Sequence, residues 1–235
     1  MNFGDPLTFL LRVLFFIPAL LIGFTLHEFA HALVAVRQGD PTPKNQGRLS
    51  LDPRRHLHPL GTIMVLLAGV GFAKPVMVNP RNFKRDRSAL MVALAGPAAN
   101  LLIAIVASVL LKIMANLTAV NGFPNFQTTC IPGVFQLHPL EILKAELYVV
   151  YTLNLYLMVF NLLPVPPLDG FEIIRTTLRK SNPRLLYQIE SNRDSIVLIF
   201  VLIALVASSI LFFVMGLVVN PVATLLGVPI GFPCQ

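Results

Sequence analysis

The stretch HEFAH, residues 27–31, places two histidines and a glutamate inside an otherwise apolar run. At helical spacing four residues turn through about 40°, so His27 and His31 face the same way. Two imidazoles arranged like this can bind one zinc ion. Glu28 is rotated by about 100° from His27 and can reach a water on the metal instead of the metal itself. Zinc acidifies such a water and a carboxylate accepts its proton, which is the chemistry of zinc peptidases.

The pattern could also be an idle occurrence on an ordinary helix. The surrounding apolar run, residues 13–36, is long enough to span a bilayer. An ionisable side chain near the middle of a span costs roughly 3 kcal/mol, and such residues usually serve a function. The setting therefore favours a functional site over chance.

The composition indicates a membrane protein. The chain has 235 residues, of which 55% are hydrophobic and 12% charged, and its mean hydropathy is +0.74. Soluble domains carry about 25% charged residues. We predict an all-α polytopic membrane protein with a single membrane-embedded domain over residues 1–235 and a first segment that is not a removable signal peptide. The predicted spans are residues 13–36, 89–115, 147–163 and 196–219.

Two shorter pieces lie between the first two spans. Residues 61–73 are apolar but too short to cross a bilayer, which indicates a re-entrant or interfacial segment. The sequence KPVMVNPRNF follows at residues 74–83. Its prolines disfavour a helix and its valines suit extended backbone, so we predict a β-hairpin-like loop.

The positive charges are concentrated in two loops. Ten of the 18 lysines and arginines lie between Arg37 and Arg87, and five more lie between Arg175 and Arg193. The positive-inside rule places both loops on the cytosolic side, near anionic lipid heads. The net charge of +7 thus indicates contact with the bilayer and not with nucleic acid. The pattern suits a multi-pass protein of a prokaryotic cell membrane.

A catalytic zinc site needs a third protein ligand and one open position. The third predicted span returns to the cytosolic side, where the HEFAH stretch also lies, and it ends in NLLPVPPLDG. The prolines stop the helix there, so Asp169 reaches about the depth of the two histidines. Glu172, His56 and His58 are alternatives on the same side, whereas His138 lies on the opposite side.

Several motifs together resemble the site-2 protease family of intramembrane zinc metalloproteases. HExxH is followed much later by N-x-x-P-x-x-x-L-D-G at residues 161–170. Between them, GPAAN at residues 96–100 resembles the family's Gly-Pro-x-x-Asn motif, and GFAKPVMVNP at residues 71–80 resembles its hairpin. The resemblance covers residues 20–175, with no room for a PDZ or CBS domain, so the chain resembles a minimal member.

The resemblance implies a function and a site. His27, His31 and Asp169 would bind Zn²⁺, and Glu28 would be the general base. The expected activity is cleavage of transmembrane segments of other membrane proteins near the cytosolic face, as in regulated intramembrane proteolysis. The partners would then be a transmembrane protein or peptide substrate and the lipid bilayer.

Three asparagines in the predicted spans should point into the bundle, because an amide facing lipid is costly. Asn161 belongs to the resembling motif, which suggests a hydrogen bond to substrate backbone or to the oxyanion. A bond between helices is the alternative for Asn161. The two roles are evenly balanced for Asn100. For Asn154, the bond between helices is the expected role.

Other functions remain possible from the sequence. A membrane metal transporter or channel could use the same ligands, a silent binder of membrane helices could keep the motifs, and a different membrane zincin would usually supply a glutamate as third ligand. The glutamate directly after His27 and the grouping of ligands at one depth favour the peptidase. Cys130 and Cys234 are both predicted outside, and a disulfide between them is left open.

Overall fold

Helices account for nearly all the regular structure in the computed structural model, which describes residues 6–59, 61, 73–85, 87–117 and 139–230. In chain order the helices are α1 (Pro6–Arg37), α2 (Thr42–Asn45), α3 (Ser88–Leu117), α4 (Pro139–Asn161), α5 (Asp169–Ser181), α6 (Pro183–Ser191), α7 (Arg193–Val206) and α8 (Ser208–Leu225). Two short 3-10 turns, Pro53–Arg55 and Pro80–Asn82, lie between α2 and α3. Cys130, Cys234 and His138 fall outside the described residues.

Within the described ranges, three helices are long and apolar enough to cross a membrane. The qualifying segments are Val13–Arg37, Ser88–Ala115 and Pro139–Asn161, and they overlap three of the predicted spans. The third helix begins at Pro139, earlier than predicted. Its first turns carry polar side chains, so the hydropathy of the sequence did not indicate a span there. It ends at Asn161, since the prolines that follow disfavour helical backbone in the residues before them.

The predicted fourth span, residues 196–219, is divided between α7 and α8. These two helices meet at a bend of 91°, and together they qualify as one broken span. Ala207 has φ −112° and ψ 34°, outside helical values, and a pair of serines follows it. Serine pairs are common sites of sharp kinks. The described residues thus have the helices of a multi-pass membrane protein, with three candidate spans and a bent helix pair that makes a fourth if it crosses as one span.

The centre of the fold is a bundle of α1, α3 and α4. Alanines of α1 and α3, including Ala19 and Ala104, are fully buried and let the helices approach closely. The aromatic side chains of Tyr148 and Tyr151 on α4 fill the remaining space. Helix α8 packs on α4 and adds Val219 to the same core. Many large apolar side chains on the outside remain exposed, as a bilayer requires.

Helices α5 and α6 are amphipathic and lie at the end of the bundle where α4 stops. Helix α5 packs against α3, and its first turn buries Phe171. Arg175 joins the two helices, since its Nε lies 2.7 Å from Glu190 while its Nη1 lies 3.2 Å from Glu172. The packing of α5 against α3 therefore positions the start of α5 near the end of the bundle.

The segment predicted as a hairpin has no helix or strand over residues 73–79, and the 3-10 turn Pro80–Asn82 follows it. Residues 73–79 end at Asn79, whose backbone is extended (φ −110°, ψ 101°), and are called the extended segment below. Residues 71 and 72 of the resembling motif and residues 62–72 of the predicted re-entrant segment lie outside the described residues. This extended segment is fastened to the loop after α1. The Lys74 amide donates to the His56 carbonyl at 2.7 Å, and the buried guanidinium of Arg48 donates to the carbonyls of Arg55, Lys74 and Pro75.

Asp40 fastens the other end of the extended segment. Its fully buried carboxylate accepts hydrogen bonds from the Asn79 amide at 2.7 Å, the Asn82 side chain at 2.8 Å, and the amide and hydroxyl of Thr42. Burial acts to raise the pKa of Asp40, but these hydrogen bonds outweigh it and hold the pKa below its ordinary value near 3.8. The ionised carboxylate thus stabilises the attachment of residues 79–82.

Asp40→Asn should loosen this attachment. The new amide would place a donor against the Asn79 N–H, which we expect to cost about 1–3 kcal/mol. Hydrogen exchange at residues 76–82 should therefore quicken at neutral pH. A depressed pKa contributes stability above the ordinary value and loses it as the pH falls through the folded value, so wild type and variant should converge at lower pH. Asp52→Asn, at an exposed turn, is the matched control, and equal exchange in both variants would contradict the assignment.

Candidate metal centre

Helix α1 presents His27 and His31 to the interior of the bundle. Both side chains are buried, with exposed fractions of 6% and 8%, although they lie on a helix that is otherwise apolar. Their Nε2 atoms are 3.0 Å apart. The spacing of four residues thus produces the shared face that the sequence predicts.

Asp169 completes a group of three. It is the first residue of α5, and its Oδ2 lies 3.2 Å from the Nε2 atoms of both His27 and His31. Gly170 makes this position possible, because a Cβ there would collide with the carbonyl oxygens of Leu162 and Leu163 at the end of α4. The chain can therefore fold back tightly after its prolines and bring the carboxylate to the histidines.

The hydrogen-bond partners of the two imidazoles determine their tautomers. The His27 Nδ1 lies 2.6 Å from the Asn100 Oδ1, and the His31 Nδ1 lies 2.7 Å from the Val92 carbonyl. Both partners are acceptors, so each Nδ1 carries the proton and each Nε2 presents a lone pair. Oδ2 of Asp169 is buried and accepts no hydrogen bond. Three lone-pair atoms therefore converge on one point.

Such a group needs a cation between its members, because converging lone pairs repel each other in a buried setting. Two imidazoles and one carboxylate are a donor set that zinc accepts, and three protein ligands leave a fourth position open. His27, His31 and Asp169 could therefore hold one metal ion. The partners of both Nδ1 atoms orient the rings as metal-bound histidines require.

Glu28 lies next to this group and is itself buried, with an exposed fraction of 8%. Its Oε2 accepts a hydrogen bond from the Val76 amide at 3.1 Å. The extended segment thus contacts the candidate base through its backbone. Nothing in the residue type at position 76 signals this contact, because a backbone amide makes it.

Gly96 of α3 faces the two imidazoles directly. A Cβ at this position would overlap the His31 Nε2 and would lie 2.5 Å and 2.6 Å from the His27 Cε1 and Nε2. The sequence indicates only that this part of α3 is rich in small residues. The structure shows that the absence of a side chain at Gly96 lets α3 approach the Nε2 atoms of both histidines.

Asn100 and Asn161 occupy different surroundings. Asn100 is fully buried behind His27, and its amide nitrogen donates to Asn154 at 2.8 Å. Asn100 and Asn154 thus form a hydrogen bond between α3 and α4, and contact of Asn100 with substrate stays a prediction. Asn161 is partly buried at the end of α4 and donates to the Leu157 carbonyl one turn earlier. Its contact with substrate stays a prediction.

The other ligand candidates do not join the group. His56 is fully buried in the loop after α1, where its Nε2 donates to the Ser50 carbonyl at 2.7 Å. His58 is near the Gly61 amide, and Glu172 pairs with Arg175. Among the described residues, His27, His31 and Asp169 form the one group with metal-binding geometry.

This geometry defines a class of protein: a multi-pass membrane protein with a buried HExxH and aspartate site of the kind that binds zinc. The chain belongs to peptidase family M50, whose match covers residues 15–208. The resemblance to the site-2 protease family is thereby confirmed. No solved structure matches the chain significantly.

Relatives with assigned names support the same family. A Bacillus subtilis protein named "Putative zinc metalloprotease YwhC" is 45% identical over 156 residues, which are 66% of this chain and 65% of that protein. Proteins named "Putative zinc metalloprotease Rip2" are 29% identical in Mycolicibacterium smegmatis and 30% identical in Mycobacterium tuberculosis H37Rv, covering 77% and 71% of this chain. The match spans 64% and 58% of those two proteins. The chain thus spans less than two thirds of the length of these relatives.

Gly96→Ala should weaken metal binding. The added methyl group would push both imidazoles away from Asp169, and we expect zinc affinity to fall by at least about 10-fold, as when a ligand loses its orienting partner. Gly216→Ala is the matched control, because a Cβ there meets only the Asn220 amide nitrogen at 3.8 Å. Chelator competition on the purified proteins measures both affinities. Equal affinities in the two variants would show that α3 does not border the metal.

Proposed function

We propose that this chain is a zinc-dependent intramembrane endopeptidase that cleaves transmembrane segments of other membrane proteins. The convergence of three lone-pair atoms beside Glu28, between membrane-spanning helices, is the observation that carries the proposal. The family and the names of its relatives support the same chemistry. Regulated intramembrane proteolysis is the process in which such an enzyme would act.

Each residue then has a specific task. His27, His31 and Asp169 would hold the zinc ion. When bound there, zinc would supply the Lewis acidity that peptide hydrolysis requires. Glu28 accepts a proton from the attacking water and later gives it to the leaving amine. The Val76 amide orients Glu28 for this work by holding Oε2.

The surroundings of the site indicate where a substrate would bind. The extended segment 73–79 runs past Glu28, and its backbone can pair with an unwound substrate strand. Asn161 lies at the end of α4, close in sequence to Asp169, and is the candidate for a hydrogen bond to substrate backbone or to the oxyanion. An unwound segment is required, because a helix keeps its carbonyls bonded to its own amides.

The charge distribution orients the protein in the membrane. His31 lies six residues before the end of α1, and the strongly basic loop begins there. Asp169 lies at the start of α5, which leads into the second basic loop. Both halves of the site thus lie toward the basic side, which the positive-inside rule makes cytosolic. We place the site toward the cytosolic face of a prokaryotic cell membrane.

Metal transport explains the structure less well. A transport path needs ligands at successive depths. In the described ranges the candidate ligands form one group, with ligand atoms within 4.8 Å of one another. A general base next to the group has no part in transport.

Glu28→Gln should abolish cleavage and leave zinc bound. The amide keeps the size of the side chain and a hydrogen-bond acceptor for Val76, but it cannot accept a proton, so we expect a loss of about 10²–10⁴-fold or more. Purified protein in liposomes, a transmembrane test peptide and mass spectrometry of the products measure the effect. Zinc is quantified in both proteins. Equal cleavage by both would eliminate Glu28 as the base, and zinc transport across the liposomes without cleavage would support the transporter.

Asp169→Ala should remove the metal. Loss of a direct ligand should lower zinc affinity by more than the roughly 10–100-fold that follows the loss of a ligand's partner. Glu172→Ala is the matched control three residues later, where only an exposed ion pair worth about 0–1 kcal/mol is lost. Zinc content after dialysis distinguishes the two acids. Loss of zinc from Glu172→Ala alone would reassign the third ligand.

A further inference from the structure

A chain of buried amides extends away from His27 on the side opposite the candidate metal. Oδ1 of Asn100 lies 2.6 Å from the His27 Nδ1, and Nδ2 of Asn100 donates to Asn154 at 2.8 Å and to the Gly23 carbonyl at 3.4 Å. Nδ2 of Asn154 donates to the Val150 carbonyl at 2.8 Å. Both asparagines are 0% exposed. These hydrogen-bonded amides therefore link α1, α3 and α4 through fully buried groups.

The Val150 carbonyl determines the direction of every other hydrogen bond between these buried amides. The Val150 carbonyl can only accept, so Asn154 must offer it the amide nitrogen and turn its Oδ1 toward Asn100. Asn100 must then donate to Asn154, which leaves its own Oδ1 for His27. An acceptor at this point requires a proton on the His27 Nδ1. The His27 Nε2 is thereby left as a lone pair toward His31 and Asp169.

We propose that Asn100 and Asn154 are positioning residues that fix the tautomer and ring orientation of His27 for metal binding. The inference rests on the proposed zinc-dependent function and adds residues that touch neither the metal nor the substrate. Asn100 acts on His27 directly, and Asn154 acts through Asn100. A carbonyl of helix α4 thus determines which nitrogen of a histidine on helix α1 binds the metal.

A purely structural role would give different results. Amides that only join helices would contribute to the stability of the bundle, and their loss would leave the zinc affinity of the folded protein unchanged. A positioning role makes the affinity depend on an acceptor at position 100. The carboxylate of Asn100→Asp keeps that acceptor, whereas the isosteric apolar side chain of Asn100→Leu removes it.

Zinc affinity by chelator competition on the purified full chain is the first measurement. We expect Asn100→Leu to bind zinc about 10–100-fold more weakly than wild type, Asn100→Asp to bind it at least as tightly, and Asn154→Leu to fall between wild type and Asn100→Leu. Asn220→Leu, the same change at an exposed position of α8, should match wild type. Unchanged affinity in Asn100→Leu, or an equal loss in Asn100→Asp and Asn100→Leu, would overturn the proposal.

Nitrogen-15 NMR of histidine tests the same proposal on the metal-free wild type itself, and variants serve only to assign its signals. Asn100→Asp and His27→Gln spectra assign the His27 signals. A proton on Nδ1 of His27 supports the positioning role of the asparagines, and a proton on Nε2 overturns it, even if Asn100→Leu fails to fold. A wild type that binds no zinc but has the Nδ1 proton would instead overturn the proposed function, so the two failures are distinguishable.

Discussion

Three electron-pair donors buried at one point are the constraint on which this structure depends. His27, His31 and Asp169 face each other in the buried interior of the helix bundle, with a lone pair of each directed inward. A cation between them would relieve the repulsion of these buried lone pairs. The helices around this group must therefore both bring the donors together and direct their lone pairs inward.

The surrounding helices do this in two ways. Glycines leave space where a side chain would collide, and backbone carbonyls accept the hydrogen bonds that orient the imidazoles. Gly96 and Gly170 remove the atoms that would block the imidazoles and the turn before α5. The Val92 carbonyl holds one imidazole, and an amide chain ending at another carbonyl holds the second. Backbone carbonyls suit this role in a membrane protein, because a helix fixes their position and no titration can change their hydrogen-bonding character.

Local spacing made the first part of the site predictable, because helical geometry converts a separation of four residues directly into a shared face. Asp169 was predictable because prolines stop α4 and the topology returns the chain to the same depth. Asn100 shows the limit of this reasoning. Its burial was foreseeable from its position in a span, but whether it faces substrate or a histidine depends on how α1 and α3 pack. The bend at Ala207 was missed, although the serine pair that follows it is a signal that could have indicated it. The burial of His56 in a loop has no such signal in the sequence.

The structure also separates two kinds of control over the same centre. The metal ligands are oriented from within the bundle, by helices whose packing surrounds them. Glu28, in contrast, is held by the Val76 amide, and that amide belongs to a segment fastened outside the bundle by Arg48 and Asp40. The hydrogen bonds that hold the base and those that orient the ligands therefore come from different elements. Under the proposed function, the segment that holds the base is also the one with which an unwound substrate strand would pair, so both roles depend on one element.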